Sequence, residues 1–313
     1  MNTQSPFTDP IDTVRLIRRL EPPTGIVDAV LDTDAYNEID DQFAISYLMK
    51  SPDRLRLKAI YAAPFHNDKS SGPADGMEKS YQEVLKLLRL MGREDYSSSV
   101  LRGSAAYLPS ETEPVVSDAA HDLAERAMGY TEENPLYVVA IGAITNVASA
   151  LLLNPAIRDR IVIVWLGGNA LEWPNNLEFN LHQDIAAARV IFGCGAAVVQ
   201  LPCMGVVSSF TVSGPELEHW LRGKNPLCDY LADNTIQEAE SQSPYRTWTR
   251  IIWDVTAAAW LMGGEFLDSR LEPSPIPEYD GHYGFDRNRH FIRYVYHIRR
   301  DALLADLIDR LTA

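Results

Sequence analysis

Five short apolar runs punctuate the chain: GIVDAVLDTD (25–34), KAIYAAP (58–64), LYVVAIG (136–142), IVIVWLGG (161–168) and AAVVQLP (196–202). An apolar run of this length without polar alternation is a strand covered on both faces. Between the runs, MEKSYQEVLKLLRLMG, SDAAHDLAERAMG, TNVASALLLNP and QDIAAARVIFGCG carry apolar residues at i, i+3 and i+4. Gly or Pro stands at their exits, with Ser117 or Thr145 as N-caps. Strand alternating with helix predicts an α/β chain, an open and mainly parallel sheet flanked by helices.

From about residue 210 the pattern changes to helices alone, in PELEHWLRG, PLCDYLADNTIQEAES and IIWDVTAAAWLM, expected to cap one edge of the sheet. The Gly-, Pro- and Asp-rich stretch from Gly263 to His290 reads as a long loop before a final RYVYHI strand and DALLADLIDRL helix. No repeat or low-complexity linker interrupts the chain, so residues 1–313 are expected to form one domain with a mainly helical part from about 210.

The 28 basic and 43 acidic side chains give a net charge of −15. The basic residues are scattered rather than clustered, which argues against a nucleic-acid or anionic-membrane surface and favours a small ligand or a metal. Cys194, Cys203 and Cys228 are too few and too far apart for a disulfide framework and read as buried thiols. The N-terminal MNTQSPFTDPIDTVRLIRRL has no apolar core ahead of a small-residue cleavage site, and no apolar run approaches the roughly 20 residues of a membrane span. A soluble, cytoplasmic protein is expected.

In open parallel sheets ligands bind beyond the carboxyl ends of the strands. The first run ends in Asp32, Thr33, Asp34, Ala35, Tyr36, Asn37, Glu38, Ile39, Asp40 and Asp41. Five carboxylates within ten residues, next to a buried strand, repel one another unless solvated or neutralised. The alternatives are a solvated loop, with an Asp capping a helix that starts near Gln42, or a bound cation. Oxygen ligation by Asp with no nearby His or Cys set points to a hard ion, Ca²⁺ or Mg²⁺.

The segment DTDAYNEIDDQFAI resembles the metal-binding signature of the inosine-uridine-preferring nucleoside hydrolases, D-x-D-P-G-x-D-D-A, with two extra residues between Asp34 and Asp40. Further matches follow in that family's order: AIYAAPFHN (59–67), VAIGAITNVASALL (139–152), IVWLGG with EFN at 178–180, and IIWDVTAAAWL (251–261). The resemblance implies a Rossmann-like nucleoside hydrolase fold, cleavage of the N-glycosidic bond of ribonucleosides, and assembly as a homodimer or homotetramer.

It also implies roles. Asp34, Asp41 and Asp254 would bind Ca²⁺ together with the backbone carbonyl of Ile141, where a side chain of any type is tolerated. A water held by the ion would be the nucleophile, with Asp34 accepting its proton and Asp40 facing the same site. Asp40, Asn67, Glu178, Asn180 and Asp254 would contact the ribose hydroxyls, with Asn175 or Asn176 as a further contact. Asp32 would support the neighbouring turn. Many relatives carry His immediately before the last Asp, where it can protonate the leaving base. Here that position is Trp253, an aromatic wall or a core residue, and His66 is the nearest other candidate acid in sequence.

Two other functions fit parts of the pattern. DTD after an apolar strand also suits a phosphatase of the haloacid dehalogenase type, but the later strand ends IGAITN, GGNA and PCMG lack its downstream acidic pair. A non-catalytic nucleoside or pentose binder would retain the metal and ribose residues while lacking a base-protonating group.

Overall fold

The apolar runs form the centre of one sheet in a computed structural model that describes residues 6, 7, 10–263 and 265–313. Part of the N-terminal segment read above for a leader therefore lies outside the described residues, as does Gly264 within the expected long loop. The strands are β1 (Val27–Thr33), β2 (Leu55–Ala62), β3 (Val100–Arg102), β4 (Leu136–Ala140), β5 (Ile161–Leu166), β6 (Ala197–Leu201), β7 (Thr211–Ser213), β8 (Thr249–Ile251), β9 (Leu267–Pro273), β10 (Ile276–Pro277), β11 (Tyr283–Gly284) and β12 (Phe291–Ile298). The helices are α1 (Thr13–Arg19), α2 (Asp40–Met49), α3 (Pro73–Leu90), α4 (Asp118–Arg126), α5 (Thr145–Leu153), α6 (Phe179–Gln183), α7 (Ile185–Gly193), α8 (Gly214–Trp220), α9 (Pro226–Gln242), α10 (Val255–Ala259) and α11 (Arg300–Thr312).

Eight strands pair in the order β3-β2-β1-β4-β5-β6-β12-β9. All neighbours run parallel except β9 against β12. The mixed α/β architecture expected from the sequence is therefore present. Successive residues of one strand face opposite layers: Leu31, Val139 and Val164 pack on the side of α2, α3 and α10, while Val30, Val138 and Ile163 pack on the side of α4, α5 and α7. Burial on both faces is why these strands read as unbroken apolar runs.

The chain winds from β1 through β2 to β3 in one direction, then returns to β4 and proceeds through β5 and β6 in the other. The crevice of such a reversal opens at the carboxyl ends of β1 and β4. Its floor is tied across the strands. The Asp32 carbonyl accepts from Ile141 N at 2.8 Å, and the Thr33 carbonyl from Ala63 N at 2.7 Å.

Five expectations need correction. The expected RYVYHI strand is present as β12, but the region before it is not helical alone: it contributes β9 to the main sheet and two small antiparallel pairs, β7 with β8 and β10 with β11. The stretch from Gly263 to His290 contains β9, an edge strand whose LDSRLEP sequence is mostly part-exposed and so carries no apolar run. Helix α2 begins at Asp40 rather than near Gln42, and no side chain caps it. Ser117 does cap α4, accepting from Ala120 N, whereas Thr145 is the first residue inside α5 and donates its hydroxyl to Asp184 at 2.6 Å. Asp184 in turn splits the expected QDIAAARV helix by capping α7 at Ala187 N.

Asn146 locks the floor of the crevice. Its Nδ2 donates to Asp32 Oδ1 at 2.7 Å and to the Ala62 carbonyl at 3.2 Å, while its Oδ1 accepts from the backbone and hydroxyl of Ser104. Gly103 permits this approach, because a Cβ there would lie 2.0 Å from the Ala62 carbonyl oxygen. Asp32, read above as a turn-stabilising residue, thus faces Asn146 and is fully buried. Asn146→Ala removes several buried partners at once, and we expect about 2–4 kcal/mol of destabilisation by chemical denaturation.

His290 gives a pH signature away from the crevice. Burial, then Arg289 and Arg158, push its pKa down to about 4 from an ordinary value of 6.5. A depressed histidine leaves the folded state stable above the unfolded value and weakens it as pH falls toward the folded one. The contribution of His290 should therefore lower melting temperature between about pH 6.5 and 4, and His290→Gln should remove that contribution, read as the difference between the two melting curves.

Candidate active site

Asp34 sits just past β1, where the backbone turns so that Asn37 N reaches the Asp34 carbonyl at 2.7 Å. Both of its carboxylate oxygens are buried and accept no hydrogen bond from the protein. Asp40 and Asp41 occupy the first turn of α2, whose N–H groups lack intrahelical partners and favour negative charge. Asp41 accepts the Thr33 hydroxyl, and one Asp40 oxygen is buried without a partner. Asp254 arrives from the far end of the chain, as the N-cap position of α10, which packs on α2. All four carboxylates are at most 3 % exposed.

Oxygen atoms of Asp40, Asp41 and Asp254 lie within 4.8 Å of one another. Burial first, and then the neighbouring carboxylates, push the pKa of Asp34, Asp40 and Asp254 well above the ordinary range, and burial raises Asp41 as well. Together with unpartnered oxygens on Asp34 and Asp40, this donor set fits a hard divalent cation, which would neutralise the charge and complete the missing contacts.

The four open into a cavity of about 290 Å³. Ile141, Asn67, Glu178, Asn180 and Trp253 line it too. Asn180 Nδ2 donates to the carbonyls of Ile141 at 3.3 Å and Leu166 at 3.1 Å, aligning the end of β4 with the end of β5. Glu178 caps α6 and accepts from the backbone N–H groups of Gly168, Asn180 and Leu181 at 2.8–2.9 Å. Asn67 is oriented by donating to Asn37 Oδ1 at 2.7 Å.

His66 does not reach the cavity. Its side chain is exposed, and its backbone N–H donates to Gln183 Oε1. Asn175 and Asn176 are also absent from the lining. Asn176 instead accepts from Asn169 N, and the Asn175 carbonyl accepts from Asn169 Nδ2. Together they present Asn169, which does line the cavity. Sequence reading missed Asn169, Asn37, Glu38, Cys203 and Met204. The strand-end rule that found Asp34 would have found GGNA and PCMG, whereas Asn37 and Glu38 enter through the two extra residues.

Residues 29–276, from β1 into β10, match the family model described as inosine-uridine preferring nucleoside hydrolase. The chain belongs to that family. A pyrimidine-specific ribonucleoside hydrolase, RihA, of Citrobacter koseri is 27% identical over 254 residues, 73% of this chain and 77% of that one. Among solved structures, the plant nucleoside hydrolase PpNRh1 superposes with a TM-score of 0.74 at 20% identity, over 92% of this chain and 99% of that one. The purine-preferring ribonucleoside hydrolase from Gardnerella vaginalis gives 0.73 at 20% identity, over 91% and 98%. The protein is thus a nucleoside hydrolase, and the haloacid dehalogenase alternative falls. Among the described residues no helix is long and apolar enough to cross a membrane.

Removing divalent cations should expose the repulsion. Carboxylates raised by burial support the fold fully below their unfolded values near 4 and withdraw that support as pH rises through their folded values. Chelation should therefore lower the melting temperature much more at pH 8 than at pH 5. Adding back a divalent cation should restore it at pH 8.

Proposed function

We propose that the chain is a Ca²⁺-dependent hydrolase of ribonucleosides, releasing free base and ribose. The observation that carries this reading is the convergence of Asp34, Asp40, Asp41 and Asp254 at the switch-point crevice, beside the carboxamides of Asn67 and Asn180. Asp34, Asp41, Asp254 and the Ile141 carbonyl would hold the cation. When bound, it supplies Lewis-acid charge that makes a neighbouring water more acidic near neutral pH.

Asp34 has two unpartnered oxygens to accept the proton of the attacking water. Asp40, Asn67, Glu178, Asn180 and Asp254 supply acceptors and amide donors for the ribose hydroxyls. Contacts that tighten as the ring flattens toward an oxocarbenium ion lower the barrier, so ribose recognition belongs to catalysis. Trp253, part-buried against the core and lining the cavity, serves as the wall on the base side. The relatives named above differ between pyrimidine and purine preference, so family membership alone does not assign the base. A single-domain protomer assembling as a cytoplasmic homodimer or homotetramer completes the proposal, with light scattering as the check on assembly.

Incubation with a mixture of ribonucleosides should release ribose, and binding without release would leave a nucleoside-binding relative. Asp34→Ala should lower kcat by about 10³-fold or more, since it removes a metal ligand and a general base together. Near-normal turnover would move the base elsewhere. Asn180→Ala should lower kcat by about 10²-fold as well as weakening binding. A change in KM alone would make Asn180 a uniform binder.

A further inference from the structure

Resting on the hydrolase reading, we infer that Tyr283 is a positioning residue of the site: its hydroxyl fixes the glycine turn after β5 and, through that turn, the carboxylate of Glu178. The family match ends at Ile276, the first residue of β10, so Tyr283 comes from a part of the β10–β11 hairpin that lies beyond it. Arg189 holds this hairpin on α7, donating to the Pro277 carbonyl at 2.7 Å and pairing with Glu278 at 3.0 Å. From there the hairpin packs on the cavity wall. The Gly281 carbonyl accepts from Asn176 N at 2.6 Å, and a Cβ on Gly281 would lie 2.5 Å from Leu177.

The turn needs holding. Gly167 and Gly168 follow β5 directly, and Gly168 adopts the left-handed conformation at φ 76°. Glycine backbone rotates more freely than that of any other residue, yet Gly168 N must keep pointing at Glu178 Oε2, which it meets at 2.8 Å. Glu178 takes its other two N–H groups from Asn180 and Leu181 at its own helix start. Gly168 is therefore the donor that ties this carboxylate to the end of β5.

Tyr283 opposes that rotation. Its hydroxyl occupies the place where a Gly168 side chain would begin, 2.0 Å from the position of a Cβ, and accepts from Gln200 Nε2 at 2.9 Å. The same nitrogen donates to the Gly167 carbonyl at 3.1 Å, so one fully buried amide links the phenol to the turn. Asn176 completes the bracket, since its Oδ1 accepts from Asn169 N at 2.8 Å while the hairpin holds its own N–H. Tyr283 is not among the residues that line the cavity, so its effect on the reaction passes through Glu178. A misplacement of 1 Å can cost up to about 10²-fold in rate, and a contact that tightens only as the ribose flattens loses kcat before it loses binding.

The test measures ribose release from ribonucleosides by the full chain with a divalent cation present. Tyr283→Phe keeps the ring and removes the hydroxyl, and it should lower kcat by about tenfold while KM changes by less than about threefold. In a Glu178→Ala background, followed under single-turnover conditions, the same substitution should change the rate by less than about twofold, because the group it positions is gone. Tyr279→Phe, on the exposed side of the hairpin, should leave kcat unchanged. If Tyr283→Phe does not fold, Gln200→Met removes the same bond from its other end and carries the same expectations. An unchanged kcat in Tyr283→Phe, or an equal loss with and without Glu178, would overturn the inference and leave the hydrolase reading standing. A wild-type chain that released no ribose would bring down the hydrolase reading itself, and this inference with it.

Discussion

Four carboxylates buried at the junction of β1, α2 and α10 repel one another, and the surrounding architecture is arranged to contain that repulsion. In a low-dielectric interior, unpaired carboxylates are held only where rigid elements leave them no way out. Strands covered on both faces supply that rigidity, and Asn146 and Gly103 bind the crevice floor so closely that β1, β2 and α5 act as one piece. A hard dication would answer the same repulsion and so couple stability to the chemistry of the site.

The groups that line the cavity are then sorted by depth. Carboxylates and carboxamides sit at the bottom, where burial would strengthen the proposed contacts with sugar hydroxyls. Apolar side chains stand at the mouth, where a flat base can be covered without demanding hydrogen bonds. Glu178 links the two levels, since its carboxylate organises the start of α6 while facing the cavity. Asn180, two residues further along, braces the carbonyl of Ile141 that a metal ion would need.

Much of this arrangement was readable from residues alone because its signals are local. Burial on both faces writes a strand as an apolar run, and the strand-end rule then directs attention to Asp34, Asp40 and Asp41. Edge elements were not readable. β3 has three residues and β9 is mostly part-exposed, so neither carries a hydrophobic period. Capping by Asp184 and the bracing of Asn169 by Asn175 and Asn176 depend on partners that periodicity does not encode.

The sequence by itself determined the alternation of strand and helix, the acidic segment after the first strand and the family resemblance, all properties of neighbouring residues. Tertiary structure alone decided that Asp254, more than 200 residues from Asp41, comes within 4.8 Å of it. It also decided that His66, adjacent to Asn67 in sequence, faces solvent while Asn67 faces the cavity. Proximity across a sheet depends on strand order and on the direction each turn gives a side chain, and both follow from the packing of the whole chain.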